Sequence, residues 1–160
     1  MSQFHGEFDC KLDPKGRLMM PTSLRKQLPT EAQEKFMINR GFEKCLVLYP
    51  MNEWIKIVED VNQLNDFIKR NREFSRYFHR GATELELDNT GRILLPKRLL
   101  EFAGIDKEIV LSARNNKIEI WAPDKYEALF NDEPEGYSSL AEETMGQNRI
   151  NKASDTGELS

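Results

Sequence analysis

Apolar and polar positions follow one pattern twice along the chain. In residues 8–12 and again in 84–87, apolar and polar side chains alternate, as is typical of a strand with one buried face. Three apolar residues come later in each copy, at 18–20 and at 93–95. Each run ends at a proline, which favours the first turn of a helix. A hairpin and a further helix are predicted after each of these helices, so the pattern indicates a duplicated unit.

The two copies share the motif D-x-x-G-R, which occupies residues 13–17 (the first loop) and returns at residues 88–92 (the second loop). Glycine suits a turn position with positive φ, and an aspartate side chain can accept backbone N–H bonds inside a turn. We therefore expect four residues to structure the loops: Asp13, Gly16, Asp88 and Gly91.

One copy alone has too little core to bury its short strands, whereas two interleaved copies can share a core. The sequence thus predicts an α+β fold, a duplicated swapped-hairpin β-barrel with pseudo-twofold symmetry and linking helices. The predicted halves span 7–54 and 83–126, and the linking helices span 55–80. Residues 131–160 are predicted to form an acidic, weakly ordered tail because they contain few large apolar side chains.

The net charge of −4 is unevenly distributed. The tail contains seven acidic and two basic side chains, so the rest of the chain, positions 1–130, carries a net charge of +1. A nearly neutral body remains compatible with anion binding if its basic side chains cluster.

Several classes of protein are disfavoured by the sequence. It contains no apolar run of about 20 residues, which a transmembrane helix needs, and no secretory leader pattern at residues 1–7, so we expect a cytoplasmic protein without a membrane partner. Two cysteines and two histidines do not match a zinc-binding pattern, and phosphate-binding and hydrolase motifs are missing. We expect no enzyme activity, catalytic residue, metal, cofactor or small-molecule substrate.

Basic side chains surround both loops. Arginine binds phosphate and guanine edges through its forked donors, and a two-stranded β element fits the major groove of DNA. The candidate DNA-binding residues are Lys11, Lys15, Arg17, Arg92 and Lys97. An alternative interpretation is that each Asp–Arg pair only stiffens its turn. The basic stretch 69–80 has similar alternatives: a solvated helix face, phosphate contacts, or binding of a neighbour's acidic tail.

Residues 4–7, 12–17, 48–50, Trp54 and 88–96 together resemble the MraZ family, which has the AbrB/SpoVT-type swapped-hairpin fold. The resemblance covers about residues 4–130. It implies a bacterial, nucleoid-associated transcriptional regulator that binds short direct repeats in double-stranded DNA upstream of its own division and cell-wall operon. It also implies a ring-like homo-oligomer. Because Thr90 stands where the first loop has Lys15, we expect the two loops to contact DNA unequally.

Two other functions remain open at this stage. A structural or protein-interaction ring would use the loops and the basic helix to bind acidic protein segments. A small-molecule enzyme would use an Asp–Arg site, but no nucleophile or cofactor motif accompanies that pair.

Overall fold

The computed structural model describes residues 3–131 and 136–146. Contacts divide the chain into two units, Met1–Tyr126 and Glu127–Ser160. The strands of the described residues are β1 (Phe4–Lys11), β2 (Arg17–Met19), β3 (Lys35–Arg40), β4 (Leu46–Pro50), β5 (Thr83–Glu86), β6 (Arg92–Leu94), β7 (Glu108–Asn115) and β8 (Lys117–Trp121). The helices are α1 (Thr22–Gln27), α2 (Met51–Asn62), α3 (Lys69–His79), α4 (Lys97–Ala103) and α5 (Pro123–Ala128), with a 3₁₀ turn at Thr30–Ala32 and a further helix over 136–146.

Six strands form one antiparallel sheet in the order β1-β7-β8-β4-β3-β5. The repeat relates β1 to β5, β3 to β7 and β4 to β8. Exchanging the two copies therefore gives the same strand order, read from the opposite edge of the sheet. The first strand of each copy pairs with the third strand of the other, β1 with β7 and β5 with β3. These exchanged strands confirm the predicted α+β class and the interleaving of the two halves.

The predicted barrel does not close through hydrogen bonds among the described residues. β1 and β5 remain the edges of the six-stranded sheet, and β2 pairs with β6 in a separate two-stranded ladder. These two strands have only three residues each, so they form a short ladder of their own rather than a bridge between the sheet edges.

The loops rest on a continuous apolar core. Leu18 of β2 and Ile93 of β6 are at most 1% exposed, and Phe36 of β3 and Leu48 of β4 are completely buried in the same cluster. Burial of a side chain of this size stabilises the folded state by about 1.5–3 kcal/mol. The packing of Leu18 and Ile93 therefore holds β2 and β6, the strands at the ends of the two loops, against the core.

The helices that follow the loops begin and end as the sequence predicts. Pro21 and Pro96 cap the N-termini of α1 and α4, because proline is fixed near the required φ and its missing N–H needs no partner there. Gly104 ends α4 with φ of +66°, the left-handed conformation that glycine adopts without strain.

The linking segment contains two helices separated by residues 63–68, and α2 begins at Met51, before the predicted boundary at 54/55. The side chain of Asn65 accepts the backbone N–H of Phe67 at 3.0 Å. Such a bond offers the backbone an alternative to continued helix. Asn65 thus lies at the point where the linking segment divides into α2 and α3.

The tail prediction for 131–160 is addressed only in part. Residues 136–146 form a helix, whereas 132–135 and 147–160 lie outside the described residues.

Candidate nucleic-acid interface

A short antiparallel ladder between β2 and β6 brings the first and second loops together. Its register sets Arg17 opposite Leu94 and Met19 opposite Arg92. Two backbone hydrogen bonds flank the ladder, one at each end: Met20 donates its N–H to the Gly91 carbonyl at 3.0 Å, and Leu95 donates to the Gly16 carbonyl at 3.1 Å. Each bond ties one loop to the residue that follows the strand of the other copy. Two motifs from distant parts of the sequence, 13–17 and 88–92, thus form one site.

The ladder has an inner and an outer face because successive side chains of a strand point in opposite directions. Leu18 and Ile93 fill the inner face, so their neighbours on both strands point outward. The outer face carries two arginines on one diagonal and two apolar side chains, about half exposed, on the other: Arg17, Arg92, Met19 and Leu94.

Asp13 organises the first loop. Its Oδ1 accepts the backbone N–H groups of Lys15 and Arg17, both at 2.9 Å, and its Oδ2 accepts Nε–H of Arg17. Gly16 takes a φ of +85° and donates its N–H to the Asp13 carbonyl. These donors, the Arg17 backbone N–H above all, hold the pKa of Asp13 below its ordinary value.

Asp88 organises the second loop with one added partner. Its Oδ1 accepts the backbone N–H of Arg92 at 2.9 Å and both the N–H and the hydroxyl of Thr90, at 2.8 and 2.7 Å. The Arg92 N–H and then the Thr90 hydroxyl lower the pKa of Asp88 to about 2. The carboxylate is consequently charged at any pH near neutrality.

Both loop arginines converge on Asp13. Nη1 of Arg92 lies 3.7 Å from Asp13 Oδ2, the same oxygen that binds Arg17. Nε of Arg92 donates to the Thr90 hydroxyl at 2.8 Å instead of to its own loop aspartate, which is 3.9 Å away. Each arginine side chain remains about 30% exposed, and a guanidinium has more donors than these contacts use. The arrangement presents two oriented guanidinium groups to a ligand.

The predicted lysines occupy different places. Lys15 is exposed in the first loop, and Lys97 is exposed at the start of α4. Lys11 lies at the end of β1 opposite Glu108, in a surface depression that it lines with Asp106. Lys107 lines the same depression, so Lys11 has charged neighbours of both signs. Any role of these lysines in DNA binding stays a prediction.

Sequence reasoning did not select Arg25, which lies against the second loop. The repeat aligns Arg25 with Leu100, so one copy has a basic residue where the other has an apolar one. This difference between the copies was the sequence feature that could have pointed to Arg25.

Two general features of the described residues bear on other kinds of site. Across 3–131 and 136–146, no group of three or more His, Cys, Asp and Glu side chains is placed to hold a metal ion. In the same ranges, no helix has the length and apolar character that crossing a membrane requires.

Comparisons with known proteins point in one direction. A family profile described as "MraZ protein, putative antitoxin-like" matches the chain twice, at residues 3–77 and 78–149. A transcriptional regulator MraZ from Christiangramia forsetii is 49% identical over 142 residues, covering 88% of this chain and 92% of the relative. The protein of the same name from Flavobacterium psychrophilum is 48% identical over 147 residues, covering 91% and 94%. That from Moorella thermoacetica is 39% identical over 142 residues, covering 89% and 96%.

Proposed function

The chain belongs to the MraZ family, and from this premise we propose that it is a DNA-binding transcriptional regulator that reads promoter DNA through its paired loops. Its curated relatives are named as transcriptional regulators and not as enzymes, in agreement with the sequence prediction that the chain is not an enzyme. The proposed target is double-stranded DNA with short direct repeats upstream of the protein's own division and cell-wall operon. The proposed location is the cytoplasm, in association with the nucleoid.

The observation that carries the proposal is the outward pair of arginines on the β2–β6 ladder. A two-stranded β element fits the major groove, where an arginine can bind guanine O6 and N7 together. Arg17 is hydrogen-bonded to Asp13 and Arg92 to Thr90, and both form ion pairs with the same Asp13 oxygen, so the two guanidinium groups are oriented together before DNA arrives. Preorganised donors lose less conformational entropy on binding than mobile ones.

The charge of the body favours binding by several protomers at once. With a net charge of +1 over positions 1–130, one protomer offers few phosphate contacts and binds weakly at physiological salt. Linking several protomers makes later contacts intramolecular and raises avidity by about 10²–10⁴. Direct repeats in the DNA match such an assembly, because each repeat engages one protomer.

Exposed aromatic side chains support the proposed self-association into a ring. In the linking segment, Phe67 is 96% exposed and Tyr77 of α3 is 68% exposed, while Phe74 lies beside Tyr77 along a surface groove. Apolar patches of this kind mark interaction surfaces. We propose that these exposed aromatic side chains of the linking segment contact a second copy of the chain. The double variant Phe67→Asp plus Tyr77→Asp should keep its secondary structure by circular dichroism, become monomeric by light scattering, and bind DNA more weakly.

Tight DNA binding by that monomeric variant would contradict the role of assembly in affinity. Unchanged size would contradict the placement of the subunit contact at these aromatic side chains.

The loops themselves are tested by the double variant Arg17→Ala plus Arg92→Ala. Each bidentate contact between an arginine and a guanine contributes about 1–3 kcal/mol, so losing two should weaken binding at least about 30-fold per engaged protomer. The control variant Lys56→Ala removes an exposed lysine of α2, outside the loops and outside the basic stretch 69–80, and should bind like the unchanged protein. Light scattering should show the same assembly for all three proteins.

Equal DNA binding by the loop variant and the control would refute loop-mediated recognition. Failure of the unchanged protein to bind any DNA would instead favour the protein-interaction ring.

A further inference from the structure

Arg25 of α1 packs directly on the backbone of the second loop. A Cβ placed on Gly91 would lie 2.5 Å from Arg25 Nη1, 2.9 Å from Cζ and 3.3 Å from Nε, so the guanidinium covers the position that a side chain would occupy. Gly91 is buried and has a φ of +83°. The close approach therefore depends on glycine both for its backbone conformation and for the space above it.

The equivalent position in the first loop is occupied by an apolar side chain. Leu100 of α4, which the repeat relates to Arg25, lies 3.6 Å from a Cβ placed on Gly16. The two copies thus place corresponding helix residues over corresponding loop glycines. Only the chemistry differs, since a cation covers the second loop and a leucine covers the first.

This difference balances a second one within the loops. The first loop has Lys15 where the second has Thr90, whose hydroxyl is bonded to Asp88 and Arg92. With Arg25 included, each loop therefore has two basic side chains. In the first loop both come from the loop itself, whereas in the second loop one comes from the other half of the chain.

The surroundings of Arg25 leave its charge accessible. Its side chain is 40% exposed, and its ion-pair contact with Glu34 is long, at 4.0 Å. An exposed pair of this geometry contributes little and is screened by salt. A phosphate can therefore compete for the guanidinium, which is well suited to bidentate phosphate binding.

We propose that Arg25 is a DNA phosphate contact of the second loop and takes the place that Lys15 has in the first. The inference rests on the proposed DNA-binding function and names a contact that completes it. It also explains how two loops of different sequence present similar charge to the DNA phosphates.

The test compares DNA affinity as a function of salt for four proteins in the full chain. Arg25→Leu introduces the side chain found at the equivalent position, so the packing over the loop glycine is kept while the charge is removed. Lys26→Leu makes the same charge change at the exposed neighbouring residue of α1. The double variant Arg25→Leu plus Thr90→Lys moves the cation to the place it has in the first loop.

For each engaged protomer, Arg25→Leu should weaken binding about 8-fold at about 0.1 M salt and make the slope of log K against log salt about 0.9 less steep. Lys26→Leu should change the affinity less than twofold. The double variant should recover the slope, a result that a purely structural role of Arg25 would not produce. If Arg25→Leu misfolds by circular dichroism, Arg25→Gln, which keeps a polar head, is measured against Lys26→Gln with the same expectation.

Steep, salt-dependent binding by the unchanged protein together with equal affinities of Arg25→Leu and Lys26→Leu would overturn this inference alone. Absence of binding by the unchanged protein would overturn the proposed function, and the inference with it.

Discussion

Adding one methyl group to either loop glycine should separate the structural requirement for glycine from the role of Arg25. Gly16 and Gly91 have nearly the same backbone conformation, with φ of +85° and +83°. Their surroundings differ, because an added Cβ at Gly16 meets Leu100 at 3.6 Å, an ordinary contact, whereas at Gly91 it meets Arg25 at 2.5 Å. Gly16→Ala and Gly91→Ala are therefore a matched pair of perturbations.

The expected loss of stability follows from the backbone. An alanine held in the left-handed region costs about 1–2 kcal/mol, and both variants carry this cost. The additional clash in Gly91→Ala involves the end of a flexible, partly exposed side chain, which can move away for no more than about 0.5 kcal/mol. The free energies of unfolding of the two variants should consequently be nearly equal, although only Gly91→Ala displaces Arg25.

Urea denaturation and DNA binding measured on the same preparations provide the assay. Both variants should unfold at similarly reduced urea concentrations, and only Gly91→Ala should show the less steep salt dependence expected for Arg25→Leu. Unchanged stability of both variants would refute the claim that these positions require glycine. An equal change in the salt dependence of both would refute the assignment of Arg25 to the second loop.

Three further predictions concern the loop carboxylate, the core and the cysteines. The pKa of Asp88 is about 2 in the folded protein against an ordinary 3.8, so the ionised carboxylate stabilises the loop fully above pH 3.8 and this stabilisation is lost as the pH falls through about 2. An NMR titration of the carboxyl carbon should show a midpoint at about 2. A midpoint near 4 would contradict the hydrogen-bonded turn. Leu48→Ala, at a completely buried position in a central strand, should lower the free energy of unfolding by about 2–5 kcal/mol in urea. Cys45 is 1% exposed and burial raises its pKa to about 12. A thiol reagent should therefore modify Cys10 first and Cys45 only after denaturant is added. Equal rates of modification of the two thiols without denaturant would contradict the burial of Cys45.

The local elements and the duplication could be predicted because they depend on short-range patterns. The alternation in β1, the prolines that begin α1 and α4, and Gly104 at the end of α4 each have a local physical cause. The D-x-x-G-R turns are also local, since the carboxylates of Asp13 and Asp88 accept backbone N–H groups of their own loops.

The arrangement of the site depends on contacts that sequence spacing does not encode. The approach of Arg92 to Asp13 follows from the register of β2 on β6, and the position of Arg25 follows from the packing of α1. The position of Lys11 is likewise set by strand pairing, since it lies at the end of β1 opposite Glu108 although it is close to Asp13 in sequence. The position of the break between α2 and α3 is set by a local turn, in which the Asn65 side chain accepts the backbone N–H of Phe67.

The most direct test of DNA recognition is a salt titration by fluorescence anisotropy. The probe is the DNA upstream of the protein's own gene, compared with a shuffled duplex of equal length. We expect a clear preference for the upstream DNA. The slope of log K against log salt should be about −1.8 for each engaged protomer if Lys15 and Arg25 contact phosphates while Arg17 and Arg92 read bases. Equal affinity for both duplexes would contradict sequence-specific reading by the paired loops, and no binding to either would contradict DNA recognition itself.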